Sequence, residues 1–309
     1  MYYDTTHKLI LSSGGLKMSR LLKDKVAVVT GGGSAGIGGA VAYAMAMEGA
    51  QVVANDIGRD PEGNRAADNM VEKIKQAGGT AVANYDSVDS MDGGAKIIET
   101  ATGNFGRIDI LVNVAGNYWG VSTPDLTEKD WDTIMNVHMK GTFATIKAAL
   151  PTMTKQKYGR IINFSSRAAF NGPAAAGVTY SNVAYNAAKA GILGLTMALS
   201  LEYRDSGITF NVILPSAVTP LFPKEKLPLE DNLPVPENTS PEYVAPLIVY
   251  LATDKAKDIT GQYFYAAGED ICIYGRPFRL PGPHAFFHKN DMWTVDELER
   301  LIPQFLGQH

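Results

Sequence analysis

Short runs of β-branched residues alternate along the chain with longer stretches whose apolar residues recur at helical spacing. VAVVT (26–30) is apolar on both faces, the pattern of a parallel strand buried on both sides. GIGGAVAYAMAMEG (36–49) reads as a helix closing at Gly49, its methionines facing the core. Strand QVVAN (51–55), a helix over 65–78, strand TAVAN (80–84) and a helix over about 89–104 follow. IDILVN (108–113) reads as a strand, and one long helix runs from Thr127 to about Lys155. GRIINFS (159–165) and ITFNVIL (208–214) are strands flanking the helix VAYNAAKAGILGLTMALSLEYR (183–204). A helix from Pro241 to about Thr253 and strand GQYFYA (261–266) complete the pattern. Repeated βα units predict an α/β fold: a doubly wound parallel sheet flanked by helices on both faces.

Two regions break the rhythm. Residues 215–241 hold seven of the sixteen prolines and read as a long, partly stiffened functional loop. Residues 269–309 read as a C-terminal tail packing on the domain or a neighbouring subunit. Its segment TVDELERLIPQFL (294–306) opens with Thr294 and Glu297 at capping-box spacing. Residues 1–19 read as an N-terminal extension, with Met18 a candidate native start, leaving one domain over 20–268.

The chain has 309 residues, of which 45% are hydrophobic and 19% charged, ordinary for a globular protein. A net charge of -4 without a dense Lys/Arg run argues against a nucleic-acid partner. The longest apolar stretch, AGILGLTMALSL (190–201), is too short to span a bilayer, and Asp4 interrupts any secretory signal, so no membrane partner is expected. The single cysteine, Cys272, excludes an intrachain disulfide and a thiolate metal site, which fits a reducing compartment. A cytoplasmic location is the default expectation. His284 and His288 lie four apart without a carboxylate or thiol nearby, so no metal is expected.

YNAAK (185–189) puts Tyr185 and Lys189 on one helical face. A nearby ammonium favours the ionised phenol, which would make a proton donor and acceptor near neutral pH. Alone, the pair also reads as a solvated helix face. A second signal is VAVVTGGGSAGIGG, a strand–turn–helix in which Gly32, Gly36 and Gly38 suit close approach to a pyrophosphate at a helix N-terminus. Asp56 follows eighteen residues after Gly38, where an acidic residue takes ribose hydroxyls. A carboxylate there repels a 2′-phosphate, so NAD is expected over NADP, although Arg59 could offset that repulsion.

Together these residues resemble the short-chain dehydrogenase/reductase family, in its single-domain branch with a Rossmann-type sheet, over roughly residues 20–268. TGGGSAGIG (30–38) is similar to the family's glycine turn, NVAG (113–116) to its NNAG element, and SS (165–166) to the end of its fifth strand. YNAAK matches YxxxK, and PSAVTP (215–220) is similar to PGxxxT. The resemblance implies that Tyr185 is the general acid/base, that Lys189 lowers its pKa and binds nicotinamide ribose, and that Ser166 holds the substrate oxygen. It implies a cofactor surface of Gly32, Ser34, Gly36, Ile37, Gly38, Asp56, Ile57, Asp86, Ser87, Asn113, Ala115, Gly116, Pro215, Ser216, Val218 and Thr219. It also implies a homotetramer built on the long helices after strands four and five.

The departures are specific. The glycine turn is one residue longer than the family's, Val114 replaces the second Asn of NNAG, and Ser216 replaces the glycine of PGxxxT. His138 stands where the family has a relay asparagine, so it is both a catalytic candidate and a candidate packing residue. Ser166 and Tyr185 are nineteen apart; Tyr180, between them, has no lysine four residues on and is rejected. NDIG (55–58), ANYDSV (83–88) and His138 resemble the hydroxyacyl-CoA dehydrogenase part of peroxisomal type 2 multifunctional enzymes, and also bacterial single-domain relatives. Tyr118, Trp119, Phe170, Leu221 and Phe222 are the candidates to wall a pocket for a hydrophobic ketone or secondary alcohol, with Lys224 and Lys226 candidates for a CoA phosphate. The alternative is a catalytically silent subunit of the same fold that binds nucleotide or a partner.

Overall fold

The computed structural model describes residues 20–170, 182–222 and 238–274. The expectations for Met18, Tyr180, Lys224, Lys226, His284, His288 and the helix over 294–306 lie outside the described residues.

Eight strands form one sheet: β1 (Val26–Thr30), β2 (Gln51–Asn55), β3 (Thr80–Asn84), β4 (Ile110–Asn113), β5 (Gly159–Phe164), β6 (Ile208–Pro215), β7 (Tyr263–Ala267) and β8 (Asp270–Ile273). Their spatial order is β3-β2-β1-β4-β5-β6-β7-β8, with every pairing parallel except β7–β8. The order reverses between β1 and β4, and a crevice opens at such a switch point above the carboxyl ends of the strands.

The helices are α1 (Ile37–Met47), α2 (Ala66–Gln76), α3 (Met91–Phe105), α4 (Glu128–Met135), α5 (Gly141–Gln156), α6 (Val183–Glu202) and α7 (Ala245–Ala252). Alternate strand residues feed opposite faces. Val29, Val52, Ile110 and Ile162 pack with Met45 of α1, Ile74 of α2 and Leu251 of α7. Val28, Val53, Leu111 and Ile161 pack with Ile97 of α3, Ile146 of α5 and Leu199 of α6. Burial on both faces is why β1 and β5 carry near-continuous apolar runs.

Two features differ from the sequence pattern. The helix expected over 127–155 is interrupted by a π-helical turn, Asn136–Lys140, which holds His138. Thr127 caps α4 in a capping box with Asp130, so the start is as expected. In the expected tail, Gly268, at φ 50, and Glu269 turn the chain back. β8 then pairs antiparallel with β7, its Ile271, Cys272 and Ile273 exposed. With no buried face, β8 lacks the apolar alternation that reveals a strand.

Candidate active site

On one side of the crevice, Gly31 takes φ 69 to turn the chain off β1. The Gly32 amide donates to the Asn55 carbonyl at 2.9 Å. A Cβ on Gly38 would lie 2.2 Å from the Gly31 oxygen, so the helix starts in backbone contact with the turn. A Cβ on Gly33 would lie 2.5 Å from the Ala67 amide, so the lengthened turn presses onto the start of α2. Ser34 staples the turn, donating to the Gly31 carbonyl at 3.0 Å and accepting from the Gly36 amide at 3.3 Å. Gly36 caps α1 without a side-chain bond, and Thr219 is the closest neighbour from outside the turn, at 3.6 Å from a Cβ built there. A helix N-terminus left to its own N–H groups and dipole, in a cradle a side chain would fill, fits a dinucleotide pyrophosphate.

Asp56, just past β2, accepts from the Gly58 amide at 2.8 Å, and Ile57 beside it is exposed. Arg59, the residue expected to offset Asp56, donates to the Gly63 carbonyl at 2.6 Å within its own loop. Arg65 stacks 4.2 Å above the Tyr85 ring. Asp86 accepts from the Asn84 side-chain amide at 2.8 Å, and Ser87 accepts from the Asp89 amide.

Five neighbouring strands carry an amide or hydroxyl at one level: Asn84, Asn55, Thr30, Asn113 and Asn163 are successive register partners across the sheet. Asn55 donates to Asn84, and Thr30 accepts from the Val114 and Ala115 amides, each at 3.1 Å. Asn113 donates to Asn163 at 2.9 Å and accepts from Thr145 of α5, while Asn163 donates to Thr196 of α6. The Asn113 side chain is thus buried and spent on tying β4 to β5 and α5.

Across the crevice, Asn182 caps α6 through the Ala184 and Tyr185 amides. Tyr185 is 4% exposed and Lys189 5%. The Lys189 ammonium lies 5.6 Å from the Tyr185 ring centroid and donates to the Phe164 carbonyl at 2.8 Å. Ser166 follows β5, where its hydroxyl accepts from the Ala168 amide and lies close enough to Tyr185 to act on its phenol. Sequence spacing therefore brings Ser166, Tyr185 and Lys189 together.

Their electrostatics correct one expectation. Burial pushes the Tyr185 phenol above its ordinary value; the Ser166 hydroxyl pulls it down, and neighbouring Tyr118 raises it further. Lys189 does not lower it. Burial instead pushes Lys189 itself down to about 7. Within this chain desolvation outweighs the pair attraction on which the sequence argument relied.

His138 is 1% exposed, and its Nε2 donates to the Asn117 carbonyl at 2.8 Å. The Asn117 amide approaches the same Nε2 at 3.2 Å, and one nitrogen cannot serve both; the shorter contact to a carbonyl requires the proton on Nε2, which leaves Nδ1 as an acceptor without a partner among the described residues. The ring meets Tyr185 edge-on at 5.1 Å, and a Cβ on Gly116 would come within 2.6 Å of it. Burial first, then the charge of Lys189, hold His138 down to about 3, against the opposing pull of the Asn117 bond.

Beyond β6, Pro215 pairs with Ala266, Ser216 donates to the Ala266 carbonyl, and Val218 to that of Thr239. The Thr219 hydroxyl accepts from the Phe222 amide at 3.0 Å, closing a tight turn that also holds half-buried Leu221. Tyr118, Trp119 and Phe222 cluster around Tyr185. Phe170 does not join them: it packs with Leu193, Val212 and Tyr263, its ring 5.7 Å from Tyr274. Sequence reasoning missed Asn182, Asn163, Gly31 and Gly33. An Asn one residue before an expected helix was the available signal for Asn182.

Residues 25–227 match the short chain dehydrogenase family. The chain is 40% identical over 248 residues to the peroxisomal multifunctional enzyme type 2 of Mus musculus, covering 79% of this chain but 32% of that protein. It thus spans about a third of that relative's length. It is 36% identical over 251 residues to the 3-oxoacyl-(acyl-carrier-protein) reductase of Synechocystis, covering 80% of this chain and 97% of that one. The crystal structure of a short chain dehydrogenase from Mycobacterium avium superposes with a TM-score of 0.79 at 35% identity, covering 93% of this chain and 96% of that one. The family match, these relatives and this structure agree: the chain belongs to the short-chain dehydrogenase/reductase family, whose members generally bind NAD(P).

Proposed function

We propose that this protein interconverts a hydrophobic secondary alcohol and its ketone with NAD, the 3-hydroxyacyl and 3-oxoacyl thioester pair being its substrate class. The observation carrying the reading is the convergence of Ser166, Tyr185 and Lys189, with Lys189 on the same face of α6 as Tyr185. A nicotinamide bound beside them supplies or accepts the hydride. In the reducing direction, Ser166 and Tyr185 hold the carbonyl oxygen and the Tyr185 phenol, kept protonated by burial, gives it a proton. The phenolate then takes a proton back from Lys189, whose pKa of about 7 lies below that of the buried phenol. His138, held neutral, presents its Nδ1 as a hydrogen-bond acceptor beside the pair and does not itself carry the proton. The assembled trio speaks against a silent subunit.

Asp56 beside the ribose, with Arg59 and Arg65 spent on their own surroundings, supports NAD over NADP. The pyrophosphate goes to Gly32, Ser34, Gly36, Ile37 and Gly38, the adenine to Ile57, Asp86 and Ser87, and the carboxamide to Thr219. Large apolar side chains exposed on α4, α5 and α6, namely Trp131, Phe143 and Leu201, support assembly of copies into a homotetramer. Among the described residues no helix is long and apolar enough to cross a membrane, and no cluster suits a metal. The lone cysteine supports the cytoplasm, and the mouse relative's name gives the peroxisome as the rival that a fluorescent fusion would test.

The test is reduction of NAD⁺ and NADP⁺ by a panel of 3-hydroxyacyl-CoA esters and simple secondary alcohols, with Tyr185→Phe alongside. We expect NAD⁺-linked turnover that falls about a thousandfold in the variant. Turnover surviving loss of the phenol would falsify the mechanism.

A further inference from the structure

The segment Asn117–Trp119 is held at both ends by buried side chains from distant parts of the chain. The Asn117 carbonyl takes the His138 Nε2–H at 2.8 Å, and the Trp119 carbonyl takes the Asn182 side-chain amide at 3.1 Å. Both clamping residues are essentially inaccessible to solvent, and Asn182 is at the same time the cap that starts α6. Tyr118, between the clamps, is fixed over the site. Its ring stands edge-on to Tyr185 at 5.0 Å and leans on Phe222 at 4.9 Å. The Tyr118 phenol is close enough to Tyr185 to raise the cost of ionising it. Its own ionisation is opposed by burial alone, and the Tyr118 hydroxyl has no hydrogen-bond partner among the described residues.

An apolar wall needs no hydroxyl, and Phe would fill the same space. A rigid, half-buried O–H donor left unspent beside the reacting phenol suits a second oxygen on the substrate. We propose that Tyr118 is the specificity-determining residue that reads a second carbonyl in 1,3 relation to the reacting one, donating its hydroxyl to the thioester oxygen of a 3-oxoacyl substrate. This rests on the proposed oxidoreductase activity and goes beyond it by assigning the selection of β-dicarbonyl compounds to one group. The double clamp supplies the preorganisation, because Tyr118 is already in place and substrate binding does not have to order it.

The experiment compares kcat/KM, at saturating NADH, for two probes with the full-length protein and with Tyr118→Phe. One probe is the N-acetylcysteamine thioester of 3-oxobutanoate. The other is the matched monoketone whose thioester carbonyl is replaced by a methylene. We expect the unmodified protein to prefer the thioester and the variant to lose about tenfold of that preference. NADH affinity, measured by fluorescence titration, separates a substrate effect from a disturbed cofactor site. A preference that Tyr118→Phe leaves intact, or no preference in the unmodified protein, overturns the inference while the oxidoreductase reading stands. No turnover of either probe or of the alcohol panel by the unmodified protein removes that reading and the inference with it.

Discussion

The two ends of the sheet solve the problem of buried polarity in opposite ways. At the amino ends of the strands, charges neutralise each other. Asp109 has no solvent exposure and holds the Arg107 guanidinium through two bonds of 2.7 and 2.8 Å, while accepting from the Val26 amide at 2.9 Å. Asp254 receives Lys25 at 3.6 Å and the buried Arg160 at 3.8 Å, with the Tyr158 ring between the two cations. At the carboxyl ends the sheet carries a row of neutral amides and hydroxyls instead. Asp56, Asp86 and Lys189, which rise from that end, bond to amides or carbonyls, and none forms an ion pair among the described residues. The closed end spends its charges on stability. The open end leaves them without an opposite charge, and its buried lysine has an ammonium that is poorly tolerated.

Four measurements break or sharpen that contrast. The largest effect belongs to the closed end: Asp109→Ala leaves a guanidinium and an amide without their acceptor. It should cost about 4 kcal/mol in denaturant unfolding, while NAD affinity of the folded fraction stays within about twofold. At the open end, Gly38→Ala forces a Cβ onto the Gly31 oxygen and should weaken NAD binding by about a hundredfold in calorimetric titration. A smaller cost there would mean the turn yields more easily than its backbone contact implies.

The third concerns Lys189. Its folded pKa of about 7 lies below its ordinary value, so between the two the unfolded chain binds the extra proton. Stability without nucleotide should therefore rise with pH across that window, by up to about 1.4 kcal/mol per unit, and the rise should vanish in Lys189→Met. A Lys189→Met protein with the same pH slope would show that another group carries it. The smallest effect is at Asp56: Asp56→Asn removes a charge from the ribose end and should move the NADP-to-NAD ratio of kcat/KM about tenfold toward NADP, read in steady-state assays.

The sequence was most informative where a local pattern carries the physics. Strands buried on both faces read as apolar runs, the glycine turn follows β1, and a Tyr and Lys four apart share a helix face wherever that helix lies. It was silent where partners are distant in the chain. The clamps on Asn117 and Trp119 join residues 21 and 63 positions apart, and no spacing rule links them. The amide row was visible only as strands that happen to end in Asn or Thr; the register makes it a row. The direction of the Tyr185 shift was misjudged because a helical spacing states proximity but not burial. β8 escaped notice because a hairpin strand open to solvent has no apolar periodicity to read.

The wide turn between α4 and α5 carries a constraint of its own. Residues Asn136–Lys140 contain one more position than a regular helix would use. Deleting one residue there would let the two helices fuse with little net rotation, because five residues of the wide turn sweep about the same angle as four of a regular helix. Ile134 would stay enclosed and Trp131 exposed, and what would be lost is the placement of His138. The extra residue is therefore spent on one side chain rather than on the packing of the helices around it.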